Sequence, residues 1–165
     1  MTLIPLSKPL HAGLQRAAVM VALALGAALA QAADTAPAST PNDPLTGVRA
    51  QIAAKDWVGS LAELRRINDA TSADWNNLMG YTLRKQRPPE LDASEKFYRE
   101  ALRINPKHRG AHEYLGELFL MKGDLKGAEA ELSALDKLCF LPCEEHTDLK
   151  KAVERFKANG NKYLP

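Results

Sequence analysis

Apolar residues along this chain recur at helical intervals. Leu45, Val48 and Ile52 fall three and four positions apart, and Trp57, Leu61, Leu64 and Ile67 resume the spacing after a break at Lys55-Asp56. Side chains three or four positions apart share one face of a helix, so residues 45–69 read as a helix hairpin. Leu78, Met79 and Leu83 mark a helix over residues 74–85. Arg87-Pro88-Pro89 ends it, because proline cannot donate and disfavours helix in its predecessor. A helix over residues 91–104 closes at Asn105-Pro106. Residues 111–121 and 125–138 form the next hairpin, with Gly123 suited to a helix end and Asp124 to the following N-cap. Leu149, Ala152, Val153 and Phe156 stripe a last helix over residues 144–158. Glu144 and Glu145 sit at its positive end, and Asn159-Gly160 stops it. No alternating run of β-branched residues competes, so the pattern predicts an all-α fold.

Two of these hairpins repeat one another. Met79-Gly80, Ser94, Tyr98 and Ala101 are answered by Leu115-Gly116, Ala128, Leu132 and Leu135, the last three pairs each 34 residues apart. Such a period belongs to helix-turn-helix arrays in which each unit needs a neighbour to bury its apolar face. At these residues the chain resembles the tetratricopeptide repeat (TPR) family, over about residues 45–140 and most closely over 76–138. The resemblance implies a short right-handed solenoid of antiparallel helix hairpins over residues 44–160. Its parts would be a degenerate hairpin at 45–69, repeats at 73–106 and 107–140, and a capping helix at 143–159. Gly80 and Gly116 would be small where the two helices of a unit come closest. Ser94, Ala101 and Ala128 would be small at close crossings, and Tyr98 and Leu132 would fill the space between units. The chain departs from the pattern in four places. Gly80 to Ser94 spans 14 residues where Gly116 to Ala128 spans 12, which places two extra residues in the Arg87-Pro88-Pro89 turn. Leu135 replaces a small residue, the first unit lacks its glycine, and the last lacks an Asn-Pro closure.

The resemblance implies protein or peptide binding rather than chemistry. In such arrays the first helix of each hairpin lines a concave face. The matching positions are Asn77, Tyr81 and Arg84, then Glu113, Glu117 and Leu120, with Arg49 and Ala53 continuing the floor. An extended peptide or a partner helix would find there an aromatic surface at Tyr81 and a forked donor at Arg84. Some TPR proteins grip a C-terminal carboxylate with lysines and asparagines; here only Asn77 matches, and Glu113 and Glu117 oppose it. The alternative is an ordinary solvated face without a tight ligand.

The N-terminal segment changes the charge balance. Lys8, His11 and Arg16 precede an unbroken small-apolar run at residues 17–30, followed by Ala30-Gln31-Ala32. That is the layout of a cleaved secretory signal, which assigns residues 1–32 to a signal peptide and residues 33–43 to a flexible leader rich in Pro, Ala, Thr and Ser. The run falls short of the roughly 20 residues of a membrane span, although an uncleaved inner-membrane anchor is the alternative. The segment resembles a bacterial Sec signal, which implies a periplasmic protein. The chain has 22 Lys+Arg and 20 Asp+Glu, and residues 1–32 hold two of the basic and none of the acidic ones, so the remainder is formally neutral. A neutral, charge-mixed surface lacks the footprint of a nucleic-acid binder. The expected partner is a protein or peptide of unspecified identity.

Cys139 and Cys143 are the only cysteines. In an oxidising compartment they are expected to pair, although the closed loop is so short that chain entropy contributes only about 2 kcal/mol. Two other readings stay open. Cys143 begins the last helix, where a thiolate is stabilised, which suits redox chemistry. Cys139, Cys143 and His146 together would suit a soft metal. His108 and His112 are four apart, but no further ligand is placed beside them, so a structural role is expected and no metal or other cofactor is assigned. The chain contains no Gly-x-Ser-x-Gly, phosphate-loop or His-Glu-x-x-His pattern, and it is not expected to be an enzyme. Intact mass of the protein isolated from its host should show loss of residues 1–32 and a deficit of two hydrogens. Free thiols or added metal mass would instead favour the redox or metal reading.

Overall fold

A computed structural model describes residues 43–164, and the signal and most of the leader assigned above lie outside the described residues. Among the described residues there are seven helices and no strand. They are α1 (Thr46–Ala53), α2 (Trp57–Ile67), α3 (Ala73–Lys85), α4 (Leu91–Ile104), α5 (Arg109–Met121), α6 (Leu125–Leu138) and α7 (Glu144–Ala158). Each helix packs on the next, α3 also meets α5, and α7 lies against both α5 and α6.

Local chemistry sets the helix starts. Asp56 accepts from the Gly59 amide at 2.9 Å, Ser72 from Trp75 at 3.2 Å and Asp124 from Gly127 at 2.9 Å. Each bond satisfies an amide that the first turn leaves without a partner. α5 starts two residues earlier than its apolar pattern suggests, because the His108 ring accepts from the Ala111 amide at 3.1 Å and serves as the cap. Gly123 adopts φ 79°, the left-handed turn that joins α5 to α6 and that glycine enters without a Cβ clash. The α3–α4 link covers residues 86–90 and the α5–α6 link residues 122–124, so the two extra residues lie at the Arg87-Pro88-Pro89 turn.

The repeated positions differ in their burial. Ser94, Ala128, Ala101 and Leu135 are all fully buried, as is Tyr98, whereas Leu132 is only partly buried. Gly80 meets the Tyr98 ring so closely that a Cβ there would stand 2.7 Å from a ring carbon. Gly116 departs from expectation: its close neighbour is Leu149 of α7, not the second helix of its own hairpin. The reason is that α5 is sandwiched, with α6 on one side and α7 on another. Across the first boundary, the Trp75 indole donates to the Leu64 carbonyl at 2.8 Å and ties α3 to α2.

Gly80→Ala should therefore destabilise the protein by about 1–3 kcal/mol through overpacking, although alanine is the better helix former. Gly47→Ala, where no atom lies within 4 Å, should be neutral or gain up to about 1 kcal/mol. Denaturant unfolding of the two variants checks the contrast.

Candidate functional site

Of the eight side chains expected on the concave stripe, six are buried. Arg49, Asn77, Tyr81, Arg84, Glu113 and Leu120 are each at most 8% exposed, the Glu117 side chain retains 21%, and Ala53 at the end of α1 is exposed. The cause is a set of aromatic contacts. The Tyr81 ring lies 6.1 Å from Trp57 and 4.8 Å from Tyr114, which links α2, α3 and α5, and Leu120 joins the core beneath. Tilted ring pairs at these separations are favourable beyond the area they bury. The stripe is thus drawn into the interior, with Glu117 at its edge.

Arg84 is seated at the centre. Its guanidinium carbon is 5.5 Å from the centroids of both Tyr81 and Tyr114, its Nη1 lies 2.7 Å from Glu117 Oε2, and its Nε donates to the Tyr98 hydroxyl at 3.3 Å. Burial opposes the charge on Arg84, but Tyr98 and Glu117 outweigh it and its pKa is raised well above the usual value. Burial also raises the Tyr98 phenol. Glu113, one turn before Glu117, has no such cation. Burial pushes its pKa up to about 9, Glu117, Asp148 and Glu145 add to the shift, and Arg84 opposes it. At neutral pH Glu113 is therefore a protonated, neutral carboxyl in the folded chain.

No protein-family model, curated protein or solved structure matches this chain.

A second polar line runs along the helix starts. Arg49 of α1 pairs with Asp43 at 3.0 Å and with Asp74 of α3 at 3.5 Å, and Asp74 accepts from His108 Nε2 at 2.9 Å. His108 caps α5 through Nδ1, so its proton belongs on Nε2 and points at Asp74. The His108 hydrogen bond is the main cause that holds the Asp74 pKa below the ordinary carboxylate range. Sequence reasoning missed this network, because its members are separated by tens of residues. The available signal was the position of Asp74 and His108, 34 apart at equivalent helix starts.

His112 has a different set of partners from His108. Its Nδ1 is 2.6 Å from Glu131 and its Nε2 is 3.0 Å from the Pro106 carbonyl. Burial opposes its charge, yet these two acceptors hold its pKa above the ordinary value. Cys139 and Cys143 are joined in a disulfide with Cα atoms 5.8 Å apart, and His146 Nε2 lies 3.7 Å from Asp136. Among the described residues no three metal-ligating side chains converge. Several buried polar atoms on the stripe lack a hydrogen-bond partner: Arg49 Nε and Nη1, Asn77 Oδ1 and Arg84 Nη2.

The Glu113 shift predicts a pH dependence. Its folded pKa is raised, so its contribution to stability is fully present below the unfolded value near 4.5 and is lost as pH rises toward about 9. Glu113→Gln should raise stability at pH 7 by roughly 2–4 kcal/mol and flatten that slope. Thermal unfolding of both proteins from pH 5 to about pH 9 measures it.

Proposed function

We propose that this chain is a non-catalytic TPR-like binding module that holds an extended segment of a partner protein along the inner faces of α1, α3 and α5. The helix order, the 34-residue spacing of Ser94 and Ala128, and the packing of each hairpin on the next support the repeat reading. The observation that carries the binding reading is the cluster of unpartnered buried polar atoms on the expected stripe. A buried donor or acceptor without a partner costs about 1–3 kcal/mol, and folded proteins leave few of them. A partner would engage Glu117, the exposed edge of the stripe, first, and its backbone would pair with the buried atoms of Arg49, Asn77 and Arg84 only where the stripe opens to admit it. The expected signal segment makes the periplasm the proposed place of action.

Lys85 and Met121 adjoin the Arg84 seat and are partly exposed, so they suit a photo-cross-linking amino acid. Placed at either position in cells, it should give a discrete adduct that is missing when the same probe replaces Val58, which is 76% exposed on α2. The same adducts from position 58, or none from 85 and 121, would refute the inner-face assignment.

A further inference from the structure

We propose, resting on the inner-face reading above, that the segment after α7, residues 161–164, is a built-in competitor that covers the open edge of the stripe and must leave before a partner segment enters. The turn that launches this segment is built from hydrogen bonds. α7 ends at Ala158, the Gly160 amide donates to the Lys157 carbonyl at 3.1 Å, and the Asn161 amide donates to the Phe156 carbonyl at 3.0 Å. That pair of bonds is a Schellman closure, with Gly160 in the left-handed conformation it requires, at φ 65°. Asn161 follows at φ 61°, which is uncommon for a residue with a side chain. Two left-handed residues in succession turn the chain off the axis of α7.

The segment then comes to Glu117. Lys162, Tyr163 and Leu164 wall a hollow of about 420 Å³ together with Ala152 and Phe156 of α7 and Glu117 of α5. Ala152 and Phe156 are buried, so the hollow lies on the packed side of α7 and not on its solvent face. Ala152 is seven residues before Asn159, about 10 Å back along the helix, and residues 161–164 span about the same distance when extended. Glu117 is the exposed edge of the stripe and the ion-pair partner of Arg84. A partner that approaches Glu117 therefore meets residues 162–164 at the same place. The cover is light enough to be displaced. Tyr163 is engaged at 38% exposure, and Leu164 is 65% exposed, so little apolar area is lost on release. A segment tethered by a short turn nevertheless acts at a millimolar effective concentration, which keeps even a weak contact largely closed. The apparent affinity of a partner then falls with the fraction of open molecules.

In the disulfide-bonded protein, nitrogen relaxation should give Lys162, Tyr163 and Leu164 order parameters above the roughly 0.6 that marks flexible backbone. Tyr163→Ser with Leu164→Ser should drop them below it and leave the amide shifts of α1 to α4 unchanged. A synthetic peptide of residues 159–165 should then shift the Glu117, Ala152 and Phe156 amides of that variant with a low-millimolar midpoint. Against the wild type it should need about threefold more peptide or greater. The cross-linked adducts from positions 85 and 121 should rise by a similar factor in the variant. A disordered segment in the wild type, order that vanishes on dilution, a peptide that ignores the variant or binds both proteins alike, or adducts of equal yield from both proteins overturns the proposal. Adducts absent from both proteins, with the segment ordered and the peptide competing, refute the inner-face reading and leave the contact of the segment at Glu117 standing.

Discussion

The close approach of the Tyr98 ring to the bare backbone of Gly80 governs much of what surrounds it. Tyr98 is fully buried, and it reaches α3 through Gly80, α5 through the Tyr114 ring at 6.2 Å, and Arg84 through its hydroxyl. A side chain at position 80 would push the ring outward. The hydroxyl would then move from Arg84, and Arg84 would lose one of the contacts that offset its burial. Packing at this density transmits a change of a single carbon, since few gaps are available to absorb it. One missing Cβ thus sets the spacing of two helices and the position of the main buried charge.

That charge explains the unusual state of its neighbours. Arg84 has a full ion-pair partner in Glu117, so the adjacent Glu113 gains little from it and pays for desolvation next to three further carboxylates. The carboxyl resolves the conflict by keeping its proton. Burying a lone charge costs more than shifting its pKa, which is the usual outcome in such surroundings. Asp74 shows the opposite result at the helix starts, where His108 and Arg49 both stabilise its ionised form. The interior polar groups are therefore of two kinds. The Asp43–Arg49–Asp74–His108 line ties successive helix starts together, whereas the Arg84–Glu117–Glu113 group carries polarity that the fold alone does not fully satisfy.

Several elements were legible one residue at a time. The apolar spacing located the helices, and Asp124, Gly123 and Asn159-Gly160 marked starts and stops at their observed positions, because capping and backbone preference act within one turn. The start of α5 was misplaced, since histidine is an uncommon cap and its role depends on ring orientation. The stripe of Asn77, Tyr81 and Arg84 was correctly grouped on one helix, but its burial was not legible. Spacing tells which side chains share a face and does not tell what lies against that face.

The sequence by itself determined the all-helical class, the approximate positions of the helices and the position of the lengthened turn, all of which follow from interactions between residues near one another in the chain. Only the tertiary structure decided that Gly116 meets Leu149, that Trp57, Tyr81 and Tyr114 draw the polar stripe inward, and that Glu113 holds a proton. Those outcomes depend on groups brought together from α2, α3, α5 and α7, where desolvation and charge are set by neighbours distant in the chain.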